Sequence, residues 1–242
     1  LRGHKKTAFT LAVIVALGAM AASSVAQGVN VTGRVTYYGG VNPPGGVSAV
    51  VWLVPAGQPA TDLVAVQPVD AVLRQKNKAF EPHLLVITKG STVQFPNLDP
   101  WFHNVFSLFN GKKFDLGLYE AGTTRTVHFD REGVSYIFCN IHPEMSAVVV
   151  VVPSPYYSVA LKDGEFSIAG VPPGRYIVHV WSENSLPETL SALSREVEVN
   201  GTLHSVGTLR VLTTDTAHTQ HKNKYGKDYE PPSPSNPVYT QP

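Results

Sequence analysis

Covalent cross-linking is the first thing this chain does without. Its 242 residues hold one cysteine, Cys139, so no disulfide can form within the chain. Stability must come from burying apolar surface, and the length is ample for one or two domains. Charge is sparse too. Charged residues make up 15% of the sequence, the formal net charge is +1, and no long run of one sign occurs. That excludes the basic field on which nucleic-acid binding depends. Beyond the N-terminal segment there is no convincing long helical pattern and no repeat of 20–50 residues. Common catalytic signatures are missing: no Gly-x-Ser-x-Gly, no His-Glu-x-x-His, no phosphate-binding glycine loop and no His-x-His pair. The chain is therefore expected not to be an enzyme.

What is present is a series of short alternating or apolar runs between Gly, Pro and Asn/Asp turns. Residues 29–37, 47–54, 84–88, 123–129 and 174–181 are examples. This is the pattern of an all-β protein built from sandwiches.

The chemistry concentrates in Cys139-Asn140-Ile141-His142-Pro143-Glu144-Met145, which spaces a thiol, an imidazole and a thioether at intervals of three. Apolar runs at residues 134–138 and 147–152 flank it and read as buried strands. A tight loop between two strands, stiffened by Pro143, would let these groups converge. A second imidazole, His103, lies upstream in Asn97-Leu98-Asp99-Pro100-Trp101-Phe102-His103-Asn104. One Cys, two His and one Met are the ligand set of a blue-copper site, and soft thiolate and thioether donors favour copper over zinc. Taken singly, each residue has an ordinary reading: a buried small hydrophobe for the Cys, core filler for the Met, a loop histidine for His142. Their joint occurrence after a strand-like run favours the metal.

These residues carry a resemblance. With Phe80-Glu81-Pro82, Gly90-Ser91-Thr92-Val93-Gln94-Phe95-Pro96-Asn97, His103-Asn104-Val105-Phe106-Ser107 and Phe114-Asp115, residues 71–152 resemble a cupredoxin of the plastocyanin and amicyanin kind. The short Cys-x-x-His-x-x-Met loop looks most like the amicyanin form. The resemblance implies a Greek-key β-sandwich over residues 68–153 holding one type 1 copper that cycles between Cu(I) and Cu(II). It implies His103, Cys139 and His142 as equatorial ligands and Met145 as axial ligand. By the same resemblance Asn104 steadies the ligand loop, and His142 is the ligand nearest the surface, where a redox partner protein would dock.

A second resemblance lies further on. Asp163-Gly164 is a hairpin signal, Phe166 and Ile168 alternate with polar residues, and Pro172-Pro173-Gly174 makes the next turn. Tyr176, Val178 and Val180 then share one strand face. Residues 157–181 resemble a carboxypeptidase regulatory-like domain, a small transthyretin-like or Ig-like β-sandwich. The Gly-x-Val strand that opens such a module stands far upstream, at Thr32-Gly33-Arg34-Val35-Thr36. Neither piece alone has strands enough to close a sandwich. The expectation is a discontinuous domain, residues 29–57 plus 155–212, interrupted by the copper domain. The alternative is that the N-terminal strands extend the cupredoxin sheet.

The ends differ from the middle. Arg2, Lys5 and Lys6 precede an apolar run at residues 8–22 and a small-residue site at Ser24-Val25-Ala26. Residues 1–26 read as a secretory signal peptide, with an uncleaved anchor as the alternative. The expected location is periplasmic or extracellular, with no stable membrane insertion once the signal is removed. Residues 213–242 are rich in Pro and Lys and are expected to be a disordered tail, with His218 and His221 as solvated side chains.

The leading function is electron carriage between redox partners. Copper handling and a surface interaction module with structural copper are the alternatives. An oxidase or nitrite reductase needs further histidine clusters, and His83 and His128 read as isolated non-ligands. His179 reads as a packed or surface residue. Trp101, Phe102, Phe106 and Phe109 are candidates for the dry shell or an apolar docking patch.

Overall fold

A computed structural model of the chain describes residues 28–40, 46–57, 66–108, 111–214 and 221–229. The expected signal segment, Phe109 and His218 lie outside the described residues. Among the described residues no helix is long and apolar enough to cross a membrane.

The architecture is the all-β, multi-sheet one expected. The first strands are β1 (Val29–Tyr38) and β2 (Ala49–Pro55). Ten follow: β3 (Asp70–Val72), β4 (Arg74–Lys76), β5 (Ala79–Glu81), β6 (Leu84–Thr88), β7 (Ser91–Pro96), β8 (His103–Ser107), β9 (Phe114–Tyr119), β10 (Thr124–Phe129), β11 (Gly133–Cys139) and β12 (Ser146–Val152). The remainder comprises β13 (Tyr157–Val159), β14 (Glu165–Val171), β15 (Gly174–Ser182), the short helix α1 (Pro187–Ser191), β16 (Arg195–Val199) and β17 (Leu203–Leu212).

The two N-terminal strands pair with the C-terminal ones. β1 lies between β14, antiparallel, and β17, parallel. β2 lies between β13 and β15, both antiparallel, and β16 extends that sheet. The alternation in the sequence decides which side chains meet: Val31 and Val35 face Phe166, Ile168, Tyr176, Val178 and Val180 in one buried cluster. Gly33 marks a close approach, because a Cβ there would lie 2.6 Å from the Phe166 ring and 2.8 Å from the Gly207 carbonyl oxygen. The register of β1 against β17 slips at this point.

Between these halves the chain builds a second sandwich. One sheet has the order β10-β7-β3 and the other β6-β12-β11-β8-β9. Phe95, Val105, Phe129, Ile137 and Val149 fill the space between them. β12 explains the unbroken apolar run that ends this unit. Ala147, Val149 and Val151 face its interior, whereas Val148, Val150 and Val152 belong to the other buried cluster. Leu84, Val86, Val134 and Tyr136 pack on that second cluster as well. A sheet covered on both faces has no polar side, which removes the alternation seen elsewhere.

One expectation fails in part. Residues 221–229, read as solvated tail, lie against the loop between β11 and β12, where the His221 ring stacks on Phe138 at 3.8 Å. Composition argues disorder because such a segment has little to bury. Here two rings and the open carbonyls of that loop supply the partners. Thr213 is likewise buried, its amide donating to the Tyr38 carbonyl.

Because β12 serves two cores, truncating either face should weaken the whole. Val150→Ala should lower the stability of the metal-free protein by roughly 2 kcal/mol, read as a lower urea midpoint in one transition. Two separated transitions would show that the sandwiches unfold independently.

Candidate metal centre

Two strand ends and one loop build the site. β11 delivers Cys139 at its last position, where it pairs with Val105 of β8. β8 begins at His103, two residues earlier, so the sheet register brings imidazole and thiol together. The loop then turns back at once. The Met145 amide donates to the His142 carbonyl at 3.1 Å, and the Cys139 amide to the Met145 carbonyl at 3.3 Å. Three donor atoms, one each from His103, Cys139 and His142, lie within 4.8 Å of one another. The Cys139 Sγ is 3.7 Å from His103 Nδ1 and 3.6 Å from His142 Nδ1. Met145 is buried in the same cluster as Cys139 and Ile141. His103, Cys139 and Met145 have no exposed surface, and His142 keeps 7%.

A buried carboxylate orients the first imidazole. Asn77 and Lys78 adopt successive left-handed conformations, φ 55° and 54°, and close β4 onto β5. Their amides donate to the two Asp99 carboxylate oxygens at 2.6 and 2.9 Å. Asp99 in turn accepts from His103 Nε2 at 3.0 Å. A proton held on Nε2 leaves the Nδ1 lone pair directed at the sulfur, the arrangement by which outer carboxylates fix the tautomer of ligating histidines. Asn97 shapes the approach to His103. Its side-chain oxygen accepts from the Asp99 amide at 3.0 Å, and its side-chain nitrogen donates to the Trp101 carbonyl at 2.7 Å.

The electrostatics keep both imidazoles neutral. Burial holds His103 below its ordinary value, opposed by Asp99. Burial, with repulsion from His103, pushes His142 down to about 4. Burial pushes the Cys139 thiol up, while backbone amides of Asn104, Ile141 and His142 pull it back by hydrogen bonding. A cation bound between these groups would displace the thiol proton, and the same amides would hold the resulting thiolate. Two neutral imidazoles, one thiol and a buried thioether form a soft donor set, which fits a soft or borderline transition metal.

The other residues noted in the sequence have assigned places. Asn104 does brace the loop, but through its backbone: its carbonyl accepts from the Asn140 amide at 2.9 Å, while its side chain donates to Asp115 at 2.6 Å. Phe106 is buried against Phe138, and Phe102 is exposed. Trp101 carries the Lys78 ammonium 4.7 Å above its ring. His83 bonds to Glu183 and to the Ser146 carbonyl, and His179 stacks on Trp52. His128 is exposed on β10. Asp99, Asp115 and residues 221–229 were not singled out for a role in the site. Asp99 stands four residues before His103, but no local spacing rule marks that as a pair outside a helix.

Comparison with known proteins finds likenesses over part of the chain only. No protein-family model and no curated protein matches it. Among solved structures it is similar to a purple cupredoxin from Nitrosopumilus maritimus, at 28% identity over 34% of this chain and 100% of that one, with a TM-score of 0.31. It is similar to a copper-containing nitrite reductase from Thermus scotoductus SA-01, at 25% identity over 41% of this chain and a TM-score of 0.34. The match spans only 27% of the reductase. An amicyanin variant matches at 21% identity, over 38% of this chain and 89% of that one, with a TM-score of 0.32.

Two measurements test the site. Asp99→Asn should weaken metal binding by about 10–100-fold, read by competition with a chelator; unchanged affinity would remove Asp99 from the site. The second concerns pH. As pH falls from about 6.5 to about 4, the unfolded metal-free chain binds a proton on His142 that the folded chain refuses. Stability should therefore fall across that window, and His142→Asn should flatten the fall in urea titrations.

Proposed function

We propose that this chain is a type 1 copper protein that carries single electrons. His103, Cys139 and His142 would be the equatorial ligands and Met145 the axial one. The observation that carries the reading is the convergence of one thiol and two Nδ1 atoms from two strand ends and one loop in a buried cluster. Bound copper would supply the one-electron couple.

The chain's own residues do the rest. The β8–β11 register and the tight 139–145 loop hold the donors close together, and a site that moves little suits electron transfer. Asp99 holds the His103 tautomer, and the amides facing the sulfur tune its electron density. The apolar shell of Val105, Ile137, Ile141 and Val149 keeps water away. His142, the least buried of the four, offers the way in and out for electrons, so a redox partner would dock on its side. Burial of the donors favours carriage over copper delivery, which needs ready exchange. His83 and His179 are engaged elsewhere, which supports a carrier rather than an oxidase or reductase.

The remaining strands are read as a scaffold. Residues 29–57 and 155–212 would form one regulatory-like sandwich interrupted by the copper domain at 68–153. Export to a periplasmic or extracellular space follows from the basic and apolar character of residues 1–26.

The test is spectroscopic. Cu(II) added to the protein should give an intense visible thiolate band, narrow copper hyperfine splitting and a reversible one-electron wave. All three should vanish in Cys139→Ser. A pale, ordinary Cu(II) spectrum that ignores the substitution would overturn the assignment.

A further inference from the structure

We propose that residues 221–229 are the outer half of the metal centre, a clamp that holds the 139–145 ligand loop shut. This rests on the copper reading for what the loop holds. How the loop is held rests on contacts alone.

The clamp meets the loop residue by residue. Tyr229 donates its hydroxyl proton to the Cys139 carbonyl at 2.7 Å. His221 lies flat on Phe138, ring centroids 3.8 Å apart and planes inclined by 24°, with its Nε2 2.9 Å from the Pro143 carbonyl oxygen. The Lys224 amide donates to Asn140 Oδ1 at 2.9 Å, and its ammonium reaches Asp115 at 2.8 Å. Asp115 also accepts from the Asn104 side chain, and the Asn104 carbonyl accepts from the Asn140 amide. Asn140, Asn104, Asp115 and Lys224 thus close a ring of contacts around the loop.

The segment has its own shape. The Gly226 amide donates to the Asn223 carbonyl and the Asn223 amide to the Lys227 carbonyl, both at 2.9 Å. The Asn223 side-chain oxygen accepts from the Tyr225 and Lys227 amides. Gly226, at φ 74°, permits the turn. A tight turn of this kind presents Tyr229 and His221 together at the loop rather than leaving them to find it.

The clamp matters because of where the loop is weak. Its short span leaves the Cys139 and Pro143 carbonyls to find donors on the clamp. Opening the loop exposes Cys139 and separates His142 from His103. Local opening of this kind governs reagent access and metal loss without global unfolding. Tyr229 and His221 are therefore positioning residues for the site and contribute no donor atom to it.

The sole cysteine makes the test direct. Full-length metal-free protein is treated with iodoacetamide, and alkylation of Cys139 is followed by mass spectrometry beside the global urea midpoint. His221→Ala with Tyr229→Phe should speed labelling about tenfold in the absence of urea, the effect of losing two ordinary contacts, and the labelling rate should depend on urea far less steeply than global unfolding does. Lys222→Ala, which removes an ion pair to Asp228 within the segment, should change neither. Equal labelling in the double variant and the parent overturns the clamp. Faster labelling with the full urea dependence of global unfolding overturns it too, because the residues would then act only on global stability. In copper-loaded protein the double variant should also lose Cu(I) to a chelator about tenfold faster. A parent protein that binds no copper would refute the copper reading, and the alkylation comparison would still decide the clamp.

Discussion

The rest of the structure depends on burying one thiol and two imidazoles side by side without charge. Polar groups removed from water need partners. Asp99 serves His103 Nε2, and the Asn104, Ile141 and His142 amides serve the Cys139 sulfur. Asp99 is itself held by the amides of Asn77 and Lys78, two residues of a left-handed turn. Each support has a support of its own, so the donors face one another instead of seeking solvent. The remaining lone pairs and the thiol are what a soft cation would satisfy.

That arrangement needs a rigid floor, and β12 provides it. A strand at the margin of a small sandwich would have one wet face and freedom to shift. Here both faces are dry, one toward the core that holds Cys139 and Met145 and one toward the core shared with β1 and β2. Met145 immediately precedes this strand. The cluster built from β1, β2 and the strands after β12 therefore acts on the site mechanically: it fixes the strand into which the 139–145 loop leads. Close packing transmits such constraint because interiors leave little room to adjust.

Much of this was legible from local spacing. The Cys-x-x-His-x-x-Met pattern marked the loop, and the flanking apolar runs are the strands β11 and β12. Asp163-Gly164 turns the chain into β14, and Tyr176, Val178 and Val180 share a buried face. These features depend on residues close in sequence, where the periods of strands and turns are physical rules. The role of Asp99 was not legible. Its partners at residues 77 and 78 meet it through a hairpin turn, and nothing in their spacing announces an acceptor. Residues 221–229 were misread for a related reason. Composition reports what a segment can bury by itself, whereas His221 and Tyr229 bury themselves against carbonyls nearly 80 residues and more away.

The sequence by itself determined the donor types, the class of fold and the tight turn that groups Cys139, His142 and Met145, because each follows from residue chemistry or short-range backbone geometry. Only the tertiary structure decided that β1 and β2 pair with β13, β14, β15 and β17, that Asp99 selects the His103 tautomer, and that residues 221–229 lie against the loop. Those are contacts between distant segments. They form only when burial of a shared core makes bringing the segments together worth the lost chain entropy.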